Sequence, residues 1–438
     1  MNPLSVLVGK AVRRASKLRG GGSALPGLVV ERLDPGFMGR ALTGLKHGVV
    51  VVSGTNGKTT TTKMVVELLE GQGLKVFTNR TGSNFTRGVA AALLGEVDWR
   101  GRLDADIAVL ELDEAHAVHF VRLVPPRYSL LLNVLRDQLD RFGEIDATTR
   151  LLETIAAATT GAVILNREDP RVAGIAASIP TADVVYFGLD ASLRSTFPND
   201  DELRGAAGIA PASALRADVV LDQVDGNSAV FLLSGSTADP TADAAAGAAF
   251  ESVHVDLRLR GVYNIFNAAA ALATARAVLG AAVAKDALIA SLAAVEPAFG
   301  RGESLVVDGR ALELVLVKNP SGFRLGLKSF DPSGCATMIA INDNYADGRD
   351  MSWLWDVDFD SLGLDGVDVV SGVRAYDMAL RLKYDDVPVR AVEPDLPAAL
   401  KEFISGNADL PKRIFCTYTA MLAVRRDLSK ITKVEVVS

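Results

Sequence analysis

The chain is 438 residues long, 49% apolar and 23% charged, with a formal net charge of -7. This length exceeds one ordinary core and predicts roughly two or three domains, and the apolar share excludes a globally disordered chain. The negative balance offers no broad attraction to phosphate backbones, so no nucleic-acid partner is expected; the two cysteines, Cys335 and Cys416, lack zinc-ligand spacing and read as buried thiols.

The first predicted element is a helix over residues 4–18. Leu4, Leu7, Val8 and Ala11 recur at helical spacing, with Lys10, Arg13, Arg14, Lys17 and Arg19 mostly opposite. The charges do not precede a continuous apolar stretch, as a signal peptide requires, and no run approaches the roughly 18 apolar residues of a bilayer span. Two readings stay open: an amphipathic helix packed on the body, or one lying on anionic lipid. Both are cytoplasmic. The glycines 20–22 and Pro26-Gly27 break this helix, so residues 1–45 read as an appendage.

A strand over 47–53 then runs into a glycine-rich turn and a helix over 58–70, closed by Gly71 and Gly73. Further strands are predicted over 107–112, 128–134 and 162–165, with helical patterns between them. That alternation specifies a mostly parallel sheet covered by helices. Residues 191–249 shift to Ala, Gly, Ser, Asp and Pro and read as a peripheral insertion of loops and short strands. An alanine-rich helix over 264–279 closes a unit spanning 46–299. From 300 to 438 a second, doubly wound Rossmann-like α/β unit is predicted, with strands at 337–341, 367–370, 387–392 and 413–416 and helices at 373–382, 396–404 and 420–427.

The chemistry concentrates in Gly54-Thr55-Asn56-Gly57-Lys58-Thr59-Thr60. Between a strand and a helix, such glycines turn successive backbone N–H groups toward a polyphosphate, and the helix presents its positive end to the same charge. Lys58 would reach the β- and γ-phosphates of ATP, and Thr59 would place its hydroxyl on Mg²⁺. Val52 stands where the commoner G-x-x-x-x-G-K-[ST] pattern has its first glycine, so the loop is a shorter variant. Glu111 ends a buried strand, where a carboxylate needs a metal or an ion pair. It is the first choice for the magnesium ligand, with Glu114 the alternative. The polar run 133–144 follows the next strand and belongs at the same carboxyl edge.

These segments resemble the Mur ligase family of ATP-dependent carboxylate–amine ligases, whose phosphate loop also reads GTNGKTT. The stretches SGTNGKTTTT, ELDEAH, RDQLDRFGEID, GVYNIFNAAAA, LVKNPSG and INDNYADGRDMSWLWDVDF narrow the resemblance to its MurT branch. The resemblance implies a P-loop ATPase central domain of Mur-ligase type. It also implies that Lys58 and Thr59 contact ATP·Mg²⁺, that Glu111 holds magnesium, that Asn264 and Asn267 lie near the adenine, and that Arg301 approaches the phosphates from the second unit. Asp137-Gln138 stands where many members have an Asp-His metal motif, which shifts weight to Glu111. Glu153 falls near the position of a carbamylated lysine, whose carboxylate it is expected to replace. Zinc-ribbon cysteines found in some MurT proteins are missing, so no zinc is expected.

The implied activity is amidation of the D-glutamate α-carboxylate of lipid II to D-isoglutamine through an acyl phosphate, within peptidoglycan synthesis. Ammonia is expected from a GatD-type glutaminase in a heterodimer, and lipid II gives a reason for contact with the inner membrane face. Asp350 would orient a histidine of that glutaminase; its own sequence setting leaves a cap for the turn at Ser352 equally open. A stand-alone Mur- or folylpolyglutamate-type ligase and a non-catalytic nucleotide-binding scaffold remain the rival readings.

Overall fold

The computed structural model describes residues 3–18, 24–79, 84–135, 145–197, 215–235, 250–259, 261–280, 283–296, 301–329, 334–363, 365–407 and 409–434. The chain divides into two compact units. The first comprises Met1–Val134, Asp146–Arg258 and Asn264–Val295; the second comprises Leu135–Ile145, Leu259–Tyr263 and Glu296–Ser438.

Three helices open the chain: α1 (Pro3–Leu18), α2 (Ala24–Leu33) and α3 (Phe37–Leu42). There follow β1 (Val49–Ser53), α4 (Lys58–Glu70), β2 (Val76–Thr78), α5 (Thr86–Glu96), β3 (Ile107–Glu111), α6 (Glu114–Leu123), β4 (Tyr128–Leu131), α7 (Ile145–Ala157), β5 (Ala162–Asn166), α8 (Pro170–Gly174) and β6 (Asp183–Leu189). The series ends with β7 (Val219–Asp225), β8 (Ser228–Ser234), β9 (Phe250–Asp256), α9 (Val262–Leu279) and α10 (Lys285–Ala294).

Among the described residues the strands form one nine-stranded sheet, in the order β2-β3-β1-β4-β5-β6-β7-β8-β9. β1 is a valine run with every residue buried, as a strand covered on both faces must be. It pairs in parallel with β3 (Val50 opposite Val109) and with β4 (Val50 opposite Tyr128). The chain crosses from one side of β1 to the other at this point, which opens a crevice at its carboxyl end. β7 continues the parallel sheet beside β6, and β8 and β9 extend it as an antiparallel meander. The stretch expected as loops and short strands thus contains seven-residue strands of the main sheet. Its Ala, Gly and Ser content disguised the alternation; positions 198–214 and 236–249 lie outside the described residues.

Of the two readings of the first helix, the one that packs its apolar stripe on the body is not what the structure shows. Leu4, Leu7 and Val8 are 68%, 54% and 42% exposed. The face turned inward carries Ser5, Val6 and Gly9, and Gly9 lets α1 close on Val30 of α2 and Leu94 of α5. Ser5 Oγ donates to Asp34 (3.1 Å) and Lys10 Nζ to the Val97 carbonyl (2.6 Å). Among the described residues no helix is long and apolar enough to cross a membrane.

The second unit contains β10 (Arg301–Val307), β11 (Arg310–Leu316), α11 (Pro320–Ser329), β12 (Ala336–Ala340), β13 (Val367–Ser371), α12 (Ala375–Tyr384), β14 (Val389–Glu393), α13 (Leu396–Ser405), β15 (Lys412–Cys416) and α14 (Tyr418–Leu428). Its sheet runs β10-β11-β15-β12-β13-β14, parallel except for the β10–β11 hairpin. Two apolar clusters cover the sheet, one around Phe323, Phe359 and Phe415, the other around Leu400, Phe403 and Met421. This is the doubly wound arrangement read from the sequence, with an added hairpin that the polar Arg301-Gly302-Glu303 start of β10 had concealed.

Candidate active site

At the end of β1 the chain turns through Gly54 and Gly57, at φ 127° and 88°, backbone conformations that side chains rarely adopt. A Cβ on Gly57 would also stand 2.7 Å from Asn267 Oδ1. Gly57 leads into α4 as an N-cap residue with no side chain to cap it; the intrahelical bonds begin with Thr61 N–H on the Gly57 carbonyl (2.9 Å). Lys58, Thr59 and Thr60 therefore form a first turn whose amides and helix dipole favour an anion.

Two carboxylates serve this turn differently. Thr59 Oγ1 donates to Glu111 Oε1 at 2.9 Å, with Glu111 half-buried as the last residue of β3. Lys58 Nζ donates to the Gly54 carbonyl (2.5 Å) and to Glu114 Oε1 (3.1 Å), both side chains being less than a tenth exposed. The two acids weighed as alternatives for one role are thus separated: Glu111 faces the threonine and Glu114 the lysine. Asn79, just after β2, fixes the Glu111 backbone from both sides, donating to its carbonyl (2.8 Å) and accepting its N–H (3.0 Å).

The loop is also gripped from β4. Asn133 accepts the Asn56 N–H on Oδ1 (2.8 Å), donates from Nδ2 to the Asn56 carbonyl (3.0 Å), and accepts the Thr55 N–H on its own carbonyl (3.0 Å). The residues flanking Asn133 are held in turn by the corner after β5. Asn166 donates to the Leu132 carbonyl (2.9 Å), and Asp169 accepts the Val134 N–H (2.7 Å) while capping α8 through Arg171 N and Val172 N. Asp169 is fully buried, and burial pushes its carboxyl up to about 6 despite these three donors. Asn133 opens the polar run expected beside the phosphates; positions 136–144 of that run, including Asp137 and Gln138, lie outside the described residues. The Asn166–Asp169 corner went unread, although Asp169-Pro170 is a helix-start signal.

The remaining expected residues fall elsewhere. Asn264 and Asn267 are three residues apart on α9, hence on one face, and Asn267 is the one beside Gly57. Glu153 sits half-buried in the middle of α7 and makes no bond to the loop among the described residues. Arg301 opens β10 in the second unit, its backbone opposite Val315. In that unit the segment after β12 is pinned by Asp347, which accepts Thr419 N–H and Oγ1 (2.7 and 2.5 Å). Asn342 accepts the Val373 N–H (3.0 Å). Asp350 accepts the Ser352 N–H at 2.9 Å, turning the chain into a short 3-10 helix over Ser352–Asp356; these Ser352 bonds hold its carboxyl below the usual range.

The family model for the Mur ligase middle domain matches residues 52–275, and that for the MurT ligase C-terminal region matches residues 316–421. The MurT subunit of the glutamine-hydrolyzing lipid II isoglutaminyl synthase of Streptococcus pneumoniae is 31% identical, with 97% of this chain and 96% of that protein covered. The chain belongs to the MurT family of Mur ligases. Solved Mur ligases share its fold: MurF of Acinetobacter baumannii aligns with a TM-score of 0.65 at 20% identity, covering 93% of this chain and 80% of that one. MurF of Thermotoga maritima, in complex with ADP, aligns at 0.63 and 17%, covering 93% and 83%. This MurT-family chain is accordingly an enzyme, a carbon–nitrogen ligase of peptidoglycan synthesis.

Proposed function

We propose that the chain is the synthetase subunit of a lipid II amidating enzyme, binding ATP·Mg²⁺ on the loop 54–60 and converting the D-glutamate α-carboxylate of the stem peptide to a carboxamide. The observation that carries this reading is the glycine-led first turn of α4, with Lys58 beside Glu114 and Thr59 bonded to Glu111. Glycine-shaped backbone, one ammonium and a hydroxyl–carboxylate pair are the donors and ligands a triphosphate with its metal requires. Thr59 and Glu111 would hold Mg²⁺, whose chemistry is to neutralise charge on the phosphoryl group in transfer. Asn267, beside Gly57, and Asn264 on the same helix face would reach the nucleoside, and Arg301 would add charge from the second unit.

A carboxylate has no competent leaving group. Its oxygen must first take the γ-phosphoryl group, with Lys58 stabilising the charge spread over the transferring oxygens. Ammonia then adds to the acyl carbon and phosphate departs. No local motif of the sequence supplies the cysteine–histidine pair that commonly releases ammonia from glutamine. All four histidines, His47, His116, His119 and His254, belong to the first unit and both cysteines to the second, so neither unit holds a cysteine–histidine pair. Cys416 is fully buried, and burial pushes its thiol well above the usual range, away from the nucleophilic thiolate.

A glutaminase partner of GatD type supplies the missing chemistry in this reading, and Asp350 orients its histidine, with the Ser352 bond fixing the carboxylate's direction. The test is mass spectrometry of lipid II after incubation with ATP, glutamine and both proteins: the product must show the mass change for exchange of a hydroxyl for an amino group. With both proteins, Asp350→Asn should lose glutamine-driven turnover and keep ammonium-driven turnover. Full glutamine use by that variant would overturn the triad role.

A further inference from the structure

We infer that the outward face of α1 is a docking surface for an anionic lipid bilayer. The helix is 16 residues long, or about 24 Å. Its inward side is complete: Val6 and Gly9 are buried against α2 and α5, and Ser5 and Lys10 have their polar partners. The outward side is apolar. Leu4, Leu7 and Val8 project from it, and Leu25 and Leu33 of the adjoining α2 are likewise more than half exposed. A helix whose apolar stripe faces away from its own protein needs an apolar neighbour to cover it.

Charge decides which neighbour. The sequence of this segment holds Lys10, Arg13, Arg14, Lys17 and Arg19, and no acid before Glu31, although the chain as a whole carries a net charge of -7. Lys10 and Arg13 turn toward the Val97 carbonyl and Gly95, which leaves Arg14 as the exposed cation among the described side chains of α1. Arg14 is exposed two turns beyond Leu7 and one beyond Lys10, on the flank of the apolar stripe. Two copies of this face would press their basic flanks together, whereas a bilayer with anionic headgroups meets leucine with acyl chain and arginine with phosphate. The same charge segregation disfavours an ordinary protein partner unless that partner is acidic.

The inference rests on α1 and α2 and not on the nucleotide site. It is tested by co-sedimenting the full-length chain with vesicles of phosphatidylcholine alone and of phosphatidylcholine with phosphatidylglycerol. Retention is expected on the anionic vesicles only, weakening as salt is raised several-fold above physiological strength. Leu4→Glu with Leu7→Glu should lower vesicle affinity by more than about tenfold, and Arg14→Glu by about fivefold or more. Leu123→Glu, an exposed leucine of α6, should leave it unchanged. ATP turnover on a water-soluble stem-peptide substrate should be the same in all four proteins, so failure of the ligase reading and of this one leave different marks. Absence of retention, equal retention on both vesicle types, or a self-associated species dissolved by Leu7→Glu would each overturn the lipid assignment.

Discussion

Lys58 and Thr59 are neighbours in sequence, yet each is bonded to its own acid, Glu114 and Glu111. This division has separable kinetic consequences. Glu111→Gln should raise the Mg²⁺ concentration for half-maximal activity about tenfold or more, as loss of one metal carboxylate does. Glu114→Gln should lower turnover with little change in the Mg²⁺ requirement, since it removes the charge paired with Lys58 and not a metal ligand; Mg²⁺ titrations of both variants check this. Asp169 makes a second prediction at this scale. Its folded-state value of about 6 lies above its ordinary 3.8, so the native state holds this proton more tightly than the unfolded chain. The resulting stability is full below about pH 4 and is lost as pH rises through 6, by at most about 3 kcal/mol. Denaturant unfolding at pH 5 and pH 7.5 should therefore show wild type losing stability relative to Asp169→Asn at the higher pH. The glycine-lysine-threonine run was legible because its chemistry is local. The sorting of Glu111 from Glu114 was not, because a strand end and the helix after it present their carboxylates in directions that only tertiary packing fixes.

Among the elements, α4 begins and ends where its flanking glycines said it would. The inward face of α1 could not be read the same way. Periodicity shows that two faces differ, and it was Gly9, too small to register as apolar, that chose which face α5 could approach. Side chains linking elements carry the element-scale predictions. Asn133→Ala removes both side-chain bonds to Asn56; it should raise the KM for ATP about tenfold and destabilise the fold by about 1–3 kcal/mol. Asn133→Asp, which keeps the acceptor, should fall between, as steady-state kinetics and chemical unfolding would report. In the second unit Glu313 of β11 and Arg413 of β15 stand opposite each other, joined at 2.7 and 3.0 Å and almost buried. Arg413→Ala should cost about 3–5 kcal/mol by breaking a nearly buried ion pair, whereas a well-packed apolar pair in place of both should be close to neutral. Unfolding of the single and double variants distinguishes these outcomes.

For the molecule as a whole, the alternation of strands and helices was enough to read two α/β units, because parallel sheets have few other ways to cover both faces. The meander β7–β9 and the hairpin β10–β11 were not readable, since their pairing depends on partners outside their own sequence windows. Substrate and amine donor stand further still from physical reading, and both are proposals that rest on the likeness to MurT subunits. One global measurement bears on the nucleotide assignment. ATP·Mg²⁺ at about one hundred times its dissociation constant should add about 2.7 kcal/mol to the stability of the unit that binds it, and Lys58→Ala should abolish most of the corresponding rise in melting temperature.

The grip of Asn133 on Thr55 and Asn56 ties the loop to the sheet through the protein's own groups. Those two amides should exchange their hydrogens with solvent at the slow pace of β4, unlike the amides of a loose surface turn. A loop restrained in this way has little order left to gain on binding. Its on-rate for nucleotide would then be set by diffusion and electrostatic attraction, and any slow step after binding would have to be sought outside the loop.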